Sequence, residues 1–139
     1  MSEIFINGRE QIVSMLKTMD HTEKVKLIRQ LMLRNEKLGR ELLFESFSFE
    51  QVTQVDPNTL FQLGDNIHQS IWALALKQTE MDFQRDILRA INRKKAEKIY
   101  TILMEDDFRP KAYDIARARE KVVHELVEIM QLQKKTIRQ

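Results

Sequence analysis

Apolar residues recur along this chain at the spacing of an α-helix, in segments of about ten to fifteen residues separated by polar positions. In the first part of the chain, apolar positions at i, i+3, i+4 and i+7 would share one side of a helix. The pattern predicts three helices between residues 9 and 46. Their apolar stripes are Ile12, Met15, Leu16 and Met19; then Leu27, Ile28 and Leu31; then Leu38, Leu42 and Leu43.

The second part of the chain repeats this pattern from residue 57 onward. Residues 71–76, IWALAL, are apolar on nearly all sides and predict a short, fully buried helix around Trp72. The other stripes predict residues that face a core. These are Leu60, Leu63 and Ile67; then Phe83, Ile87, Leu88 and Ile91; then Ala96, Ile99, Tyr100 and Leu103.

A long final helix is predicted from Pro110, which suits a first helical position. Two seven-residue series run along it, Ile115, Val122 and Ile129 beside Ala116, Val123 and Met130. A stripe sustained over about three heptads is compatible with a core helix or with a dimer seam. We favour the core interpretation because a chain of this size has little apolar surface to spare.

Capping residues mark where several of these helices begin. Asp56-Pro57 combines an N-cap aspartate with a proline at the first helical position. Ser48 with Gln51 has the spacing of a capping box. Further helix starts are predicted at Asp20 with Glu23, at Asn35, at Thr79 with Asp82, and at Asn92.

The composition favours an all-α fold. Only 3 Gly and 2 Pro occur in 139 residues, which leaves little room for hairpin turns. The one strand-like run, Ile4-Phe5-Ile6, is too short and is interpreted as a tail that docks. The length allows one good core or two small packed subdomains. Antiparallel helices with short polar connections favour a layered, armadillo-like superhelix over a four-helix bundle.

Charge and cysteine usage exclude several classes of protein. The net charge is only +2, so overall charge does not identify a partner. Cysteine is absent, which excludes disulfides and thiolate chemistry and fits a reducing compartment. The N-terminus lacks the pattern of a secretory signal, and no apolar run approaches the length of a membrane span. We therefore expect a cytoplasmic protein without membrane insertion.

Known catalytic patterns are missing from the sequence. Its three histidines, His21, His68 and His124, fall on different predicted helices and lack metal-ligand spacing. The glycines are isolated, so no phosphate-binding loop is present, and no serine lies in a nucleophile motif. Asp106-Asp107 lies in a predicted loop, where capping and solubility explain it. The sequence predicts no enzyme activity, no cofactor and no metal site.

One cluster of positive charge stands out, comprising Arg89, Arg93, Lys94, Lys95 and Lys98 with only Glu97 of opposite sign. Lys98 follows Lys94 by one helical turn on the same face. The cluster is compatible with a solvated helix face, with docking on an acidic protein surface, or with binding a nucleic-acid backbone. Nucleic acid is disfavoured because no exposed aromatic side chains are predicted among the basic residues. The terminal Lys134-Lys135-Thr136-Ile137-Arg138 is interpreted as a frayed basic tail.

The segment ESFSFEQVTQVDPNTL, residues 45–60, resembles the hinge in the C-terminal half of FliG, the flagellar motor switch protein. Ser46-Phe47-Ser48-Phe49 corresponds to the family's Met-Phe-x-Phe motif. The stretch from Asp56 to Phe61 corresponds to its Asp-Asp-Arg-Ser-Ile-Gln stretch. The likeness extends from about Ile12 to Leu132 with one inserted residue. The family's Ala-Leu-Lys-Gly motif is similar to Ala75-Leu76-Lys77 here, with Gln78 in place of the glycine. Its Leu-x-Asn-Met-Ser-x-Arg-Ala-Ala run is similar to Leu88-Arg89 followed by Asn92-Arg93-Lys94 and Ala96.

The resemblance implies a right-handed, armadillo-like helical superhelix of two packed blocks joined at a Phe-x-Phe hinge, Phe47 and Phe49. It implies an N-terminal tail 1–8, a three-helix armadillo-like unit 9–46, a FliG C-terminal-like domain 47–132 and a basic tail 133–139. Armadillo units of the family stack between molecules. The implied stacking face, which could mediate self-association, comprises Ile12, Met15, Leu16 and Leu27, although burial in the unit's own core is the favoured interpretation of these residues.

The family carries a ridge of charged residues that contacts the stator. Lys77 corresponds to the ridge lysine and Lys94 to a ridge arginine, while the two adjacent acids correspond to Thr101 and Ile102. Arg109 and Lys111 surround Pro110 where the family has a further arginine. The implied partner-binding residues are Lys77, Arg93, Lys94, Lys98, Arg109 and Lys111.

These implications lead to a first hypothesis of a non-enzymatic module that joins or modulates the flagellar rotor or switch at the basal body. Its partners would be FliG-like, other switch or stator proteins. The alternative is a stand-alone adaptor, outside motility, that binds nucleic acid or an acidic partner through the same basic helix. A third hypothesis is a regulatory domain like those appended to magnesium transporters, which the lack of a transmembrane partner in the chain disfavours.

Overall fold

The computed structural model describes residues 2–138, without the side chains of residues 2–8, 21 and 131–138. Within that range the chain is helical and contains no β-strand, so the predicted all-α fold class is confirmed. The helices are α1 (Ser2–Thr18), α2 (His21–Arg34), α3 (Glu36–Ser46), a 3₁₀ helix (Phe49–Gln54), α4 (Pro57–Asn66), α5 (Gln69–Leu76), α6 (Met81–Ala90), α7 (Arg93–Met104) and α8 (Ala112–Arg138).

The chain divides into two compact units, Met1–Ser48 and Phe49–Gln139, and the division falls between the two phenylalanines of the predicted hinge. Phe47 belongs to the first unit and Phe49 to the second, and both are buried. The armadillo-like superhelix and the Phe-x-Phe hinge stay predictions.

In the first unit, α3 packs against both α1 and α2. Gly39 allows α3 to approach α2 closely, because a Cβ atom at that position would collide with Met32. On the exposed side, the guanidinium of Arg9 pairs with Glu41 at 3.3 Å and with Glu45 at 2.7 Å, which connects α1 to α3. The core of this unit contains Leu16, Ile28, Met32, Leu42, Leu43 and Phe47.

A lysine is buried within this first core. The Lys24 side chain is 0% exposed, and its Nζ donates a hydrogen bond of 3.3 Å to the carbonyl of Ser46 at the C-terminal end of α3. The ammonium also lies 4.5 Å from the centre of the Phe47 ring. Both contacts favour the charged form, but burial disfavours it and lowers the pKa of Lys24 from 10.5 to about 8.

In the second unit, α5 is the central helix, with Trp72 completely buried. Helix α8 packs against α4 and α5, and α7 packs against α5 and α6. The core interpretation of α8 is confirmed by the burial of Ile115, Val122 and Ile129. Of the adjacent series, Val123 is buried whereas Ala116 is exposed.

Three of the predicted caps are confirmed by hydrogen bonds. Asn35 Oδ1 accepts from the Leu38 amide at 3.1 Å, and Asp56 Oδ1 accepts from the Thr59 amide at 2.9 Å. The same Thr59 amide is the main reason why the pKa of Asp56 lies below its ordinary value. Asn92 caps α7 in the same way. Asp20 precedes α2 as predicted, although its side chain makes no capping bond.

Two predicted helix starts are wrong, by one and by two residues. The N-cap of α6 is Glu80 instead of Thr79, because the Thr79 hydroxyl donates to the Leu76 carbonyl at 2.6 Å and so belongs to the end of α5. Helix α8 begins at Ala112 instead of Pro110. Its first backbone bond runs from the Ile115 amide to the Lys111 carbonyl.

Both predicted tails are helical in the structure. Helix α1 begins at Ser2 and therefore includes most of the segment 1–8, and α8 continues to Arg138 through most of the segment 133–139. The side-chain interpretations of these two segments, docking of the first and a basic patch in the second, lie outside the described residues, as does the His21 side chain.

The expectation that Tyr100 faces the core is also wrong, since its side chain is 54% exposed. Ile99 and Leu103 on the same helix are buried as predicted. Helix α7 packs against α5, and Tyr100 lies about 100° around the helix from the buried Ile99.

Candidate functional site

Helix α7 carries four cations of the basic cluster, Arg93, Lys94, Lys95 and Lys98, whereas Arg89 lies on α6. Asn92 Oδ1 accepts hydrogen bonds from the amides of Lys94 at 3.0 Å and Lys95 at 3.3 Å, so the helix begins directly at Arg93. The first turn then contains three cations and no acid. Positive charge near a helix N-terminus opposes the helix dipole, so this arrangement does not serve the stability of α7.

Arg93, Lys94 and Lys98 are all exposed. Arg93 Nε lies 3.5 Å from a Glu97 carboxylate, but the Arg93 side chain is 93% exposed, and such surface pairs are weak. Lys94 and Lys98 lie one helical turn apart and form a stripe along the solvent side of α7. These three predicted partner-binding residues therefore form one accessible group.

Lys95, which lies between Lys94 and Lys98 in sequence, has a structural role. Its Nζ donates to three carbonyls at the end of α4, those of Gly64 and Asp65 at 2.9 Å and Ile67 at 3.0 Å. The last carbonyls of a helix have no partner within the helix, and the ammonium supplies one. The Gly64 carbonyl also accepts from Trp72 Nε1 at 3.2 Å, so Lys95 is linked to the buried centre of the unit.

A second basic group lies after α5. Lys77 is the C-cap of α5 and is half-buried, with its ammonium 5.3 Å from the centre of the Phe108 ring. Lys77 and Arg109 line one surface groove of about 400 Å³, which Glu105 and Asp106 also line. The structure thus brings Lys77 and Arg109 together, with acidic side chains beside them. Lys111, also exposed, follows this groove in sequence.

Sequence reasoning missed Arg119 as a structural residue. Its guanidinium donates to the carbonyl of Ala75 at 2.9 Å and to that of Lys77 at 2.8 Å, and lies 5.4 Å from the Phe49 ring centre. It fixes the end of α5, and therefore the backbone of Lys77. Phe49 is held as well by Phe83, whose ring centre is 5.3 Å away.

Two positions of the family's charge ridge differ in chemistry here. Thr101 is exposed, and its hydroxyl donates to the Glu97 carbonyl at 2.9 Å within α7. Ile102 is half-buried. The solvent side of α7 is therefore cationic at its beginning and neutral at Thr101.

The four residues of the implied stacking face differ in exposure. Ile12 and Met15 are 40% and 48% exposed, Leu27 is half-buried and Leu16 is completely buried. Leu16 therefore belongs to the core of the first unit. The core interpretation is wrong for Ile12 and Met15, which remain candidates for a contact surface.

Neither a metal centre nor a membrane span is found in the described part of the chain. Among those residues, His, Asp and Glu side chains form no cluster suited to a metal ion. In that part of the chain, each helix is too short or too polar to cross a bilayer.

Comparison with known proteins gives a consistent family and fold. The model of the FliG C-terminal domain matches residues 29–135. Full-length FliG from Aquifex aeolicus superposes with a TM-score of 0.63 at 14% identity, over 89% of this chain and 38% of that one. A FliG fragment from H. pylori gives a TM-score of 0.62 at 17% identity, over 91% and 54% of the two chains. No curated protein matches.

The chain spans less than two thirds of the length of the FliG structures it matches. The solved structures establish a shared helical fold, and the family model covers most of the chain, from α2 into α8. This protein belongs to the FliG C-terminal domain family.

Proposed function

We propose that this chain is a non-enzymatic protein–protein interaction module of the flagellar switch, acting in the cytoplasm at the basal body. The observation that carries the proposal is the family match together with the exposed cations Arg93, Lys94 and Lys98 on α7. Three cations in the first turn oppose the helix dipole, Lys95 caps α4, and Arg93 makes a weak, exposed pair with Glu97. Contact with an acidic partner therefore explains why Arg93 and Lys94 are there.

The neutral side chains at Thr101 and Ile102 favour modulation over torque transmission. In the family, the ridge carries both signs of charge toward the stator. Here the two acidic ridge positions are neutral, and Glu97 is the exposed acid of α7 beside Arg93, Lys94 and Lys98. This surface is therefore net positive and complements an acidic surface better than one of mixed charge. We propose that the partner is a switch or stator protein that presents carboxylates, and that Lys77, Arg109 and Lys111 form a second, weaker contact.

Titration calorimetry of the purified chain against full-length FliG and against the cytoplasmic loop of the stator tests the proposal. The double variant Lys94→Glu/Lys98→Glu should weaken binding to its partner by at least about tenfold, since it replaces attraction by repulsion at the interface. Lys121→Glu, a single charge reversal on the exposed side of α8, is the control and should change the affinity little.

Equal affinity of the double variant and the parent would contradict the role of α7. If the parent chain binds neither FliG nor the stator loop, the flagellar assignment itself is contradicted. Circular dichroism of each variant confirms that the helices are intact, which is expected because all three substituted lysines are exposed.

A further inference from the structure

A shallow groove of about 600 Å³ runs between α6 and α7 in the second unit. It lies beside the basic stripe but is not part of it, because Lys94 and Lys98 fall on the neighbouring side of α7. The groove is lined by Leu88, Arg89, Ile91, Arg93, Ala96, Glu97, Tyr100 and Thr101.

The floor of the groove is apolar. Leu88 and Ala96 are half-buried, Ile91 is buried, and Tyr100 stands beside them with half of its side chain exposed. An exposed tyrosine next to aliphatic side chains is the kind of residue that anchors protein interfaces, because it buries a large area at little cost in side-chain entropy.

The rim of the groove is cationic. Arg89 and Arg93 line it, Glu97 is the single acid among the lining residues, and the stripe of Lys94 and Lys98 adjoins it. An occupant must therefore bring apolar side chains to the floor and negative charge to the rim. An amphipathic helix with acidic residues beside its apolar face has both features.

We propose that the α6–α7 groove binds an acidic amphipathic helix of a partner protein. Apolar residues of that helix pack on Tyr100, Leu88 and Ala96, and its carboxylates face Arg89 and Arg93. This inference rests on the proposed function, because both require that the chain binds other proteins. It adds the chemical character of the protein segment that the groove recognises.

An aromatic side chain among cations is also compatible with stacking a nucleic-acid base. The floor of the groove favours a protein. It is mainly aliphatic, whereas surfaces that bind single-stranded nucleic acid present several aromatic side chains for stacking. The net charge of +2 also gives no long basic path for such a backbone.

Fluorescence anisotropy with synthetic probes tests the proposal on the full chain. The probe is a labelled helical peptide of about 15 residues with leucines at i, i+3 and i+7 and glutamates beside them. One control peptide has serine in place of leucine, a second has lysine in place of glutamate, and a labelled thymidine oligonucleotide represents nucleic acid.

We expect the acidic leucine peptide to bind and all three controls to bind at least about tenfold more weakly. Tyr100→Ala should weaken binding of that peptide by at least about tenfold, as for an interface anchor. Tyr113→Ala is the matched control. Tyr113 is also an exposed tyrosine of the second unit, but it lies on α8 beside Arg117, and its loss should leave the affinity unchanged.

Three results would overturn the inference: no binding of the acidic leucine peptide, equal affinity of Tyr100→Ala and the parent, or tighter binding of the oligonucleotide with the steep salt dependence of phosphate contacts. If the peptide does not bind while FliG or the stator loop still binds through Lys94, the groove inference fails and the proposed function stands. If the peptide binds but neither FliG nor the stator loop binds, the groove inference stands and the proposed function fails.

Discussion

At the scale of single residues, Gln78 shows how this chain departs from its family. Its φ of 66° lies in the left-handed region, between the end of α5 and the start of α6. Glycine, which the resembling motif has at this position, adopts that conformation without steric cost, whereas a side chain with a Cβ is strained there. The sequence indicated that glutamine replaces the family's glycine, but only the backbone conformation shows that this replacement is strained.

The positive φ at Gln78 therefore predicts how different replacements of this residue rank in stability. Gln78→Gly should raise the free energy of unfolding by up to about 1 kcal/mol, the strain relieved less the entropy that glycine loses on folding. Gln78→Val should lower it by about 1–2 kcal/mol because β-branched residues tolerate positive φ least. Urea denaturation measures both changes.

The control for this series is Gln62→Gly in the exposed middle of α4, which should lose about 1 kcal/mol. A gain at Gln62, or a loss for glycine at Gln78, would contradict the assignment of strain.

The buried Lys24 predicts a pH dependence of stability. Its pKa is about 8 in the folded chain and near 10.5 when unfolded, so between these values the unfolded state binds more protons. The free energy of unfolding should consequently rise as the pH increases from about 8 to about 10.5, by at most about 1.4 kcal/mol per pH unit from this group.

Denaturation of the parent and of Lys24→Met across this range isolates the contribution of Lys24, because other groups titrate alike in both. The difference in stability between the two proteins should change with pH in the sense that favours the parent at high pH. Parallel curves would mean that Lys24 keeps its ordinary pKa.

At the scale of helices, the beginnings of α3, α4 and α7 could be predicted from local signals. Asn35, Asp56 and Asn92 bond to amides two or three residues away, so the cap is a property of a short segment. Thr79 has the same capping chemistry but bonds backward to Leu76. The choice between the two directions depends on where α5 ends, which Arg119 influences from α8.

The role of Lys95 at the end of α4 gives a prediction at this scale. Lys95→Met removes a charged donor from three helix-terminal carbonyls and should lower the free energy of unfolding by about 2 kcal/mol, because hydrogen bonds to charged groups are among the stronger ones. Thermal or urea unfolding of the purified variant measures the loss.

Lys94→Met, one residue earlier and fully on the exposed side, is the matched control and should change stability by less than about 0.5 kcal/mol. Equal losses for the two lysines would show that Lys95 is not a structural cap. The sequence held a signal for this difference, since Lys95 shares a stripe with the apolar residues Ile99 and Ile102.

At the scale of the molecule, each compact unit has its own core. The second unit is built around Trp72, the single tryptophan of the chain. We expect a fragment of residues 49–139 to fold alone, with cooperative unfolding and the blue-shifted Trp72 emission of a buried indole. Red-shifted emission or a gradual thermal transition would show that the second unit depends on residues 1–48.

The spacing of apolar residues determined, without further information, that the chain is helical and that Trp72 and the Ile115 series of α8 are buried. These properties depend on the helical period and on neighbours within a few residues. The ordered series of motifs along the chain likewise indicated the family.

Tertiary structure alone decided which cations are available to a partner. Lys95 and Arg119 find carbonyls about thirty to forty residues away in sequence, whereas Lys94 and Arg93 find solvent. It also decided that Tyr100 lies at an open groove, because the packing of α7 in the second unit buries Ile99 but leaves its neighbour exposed. Such outcomes depend on how helices pack, and helical periodicity records only that a stripe is apolar, not how far the next helix covers it.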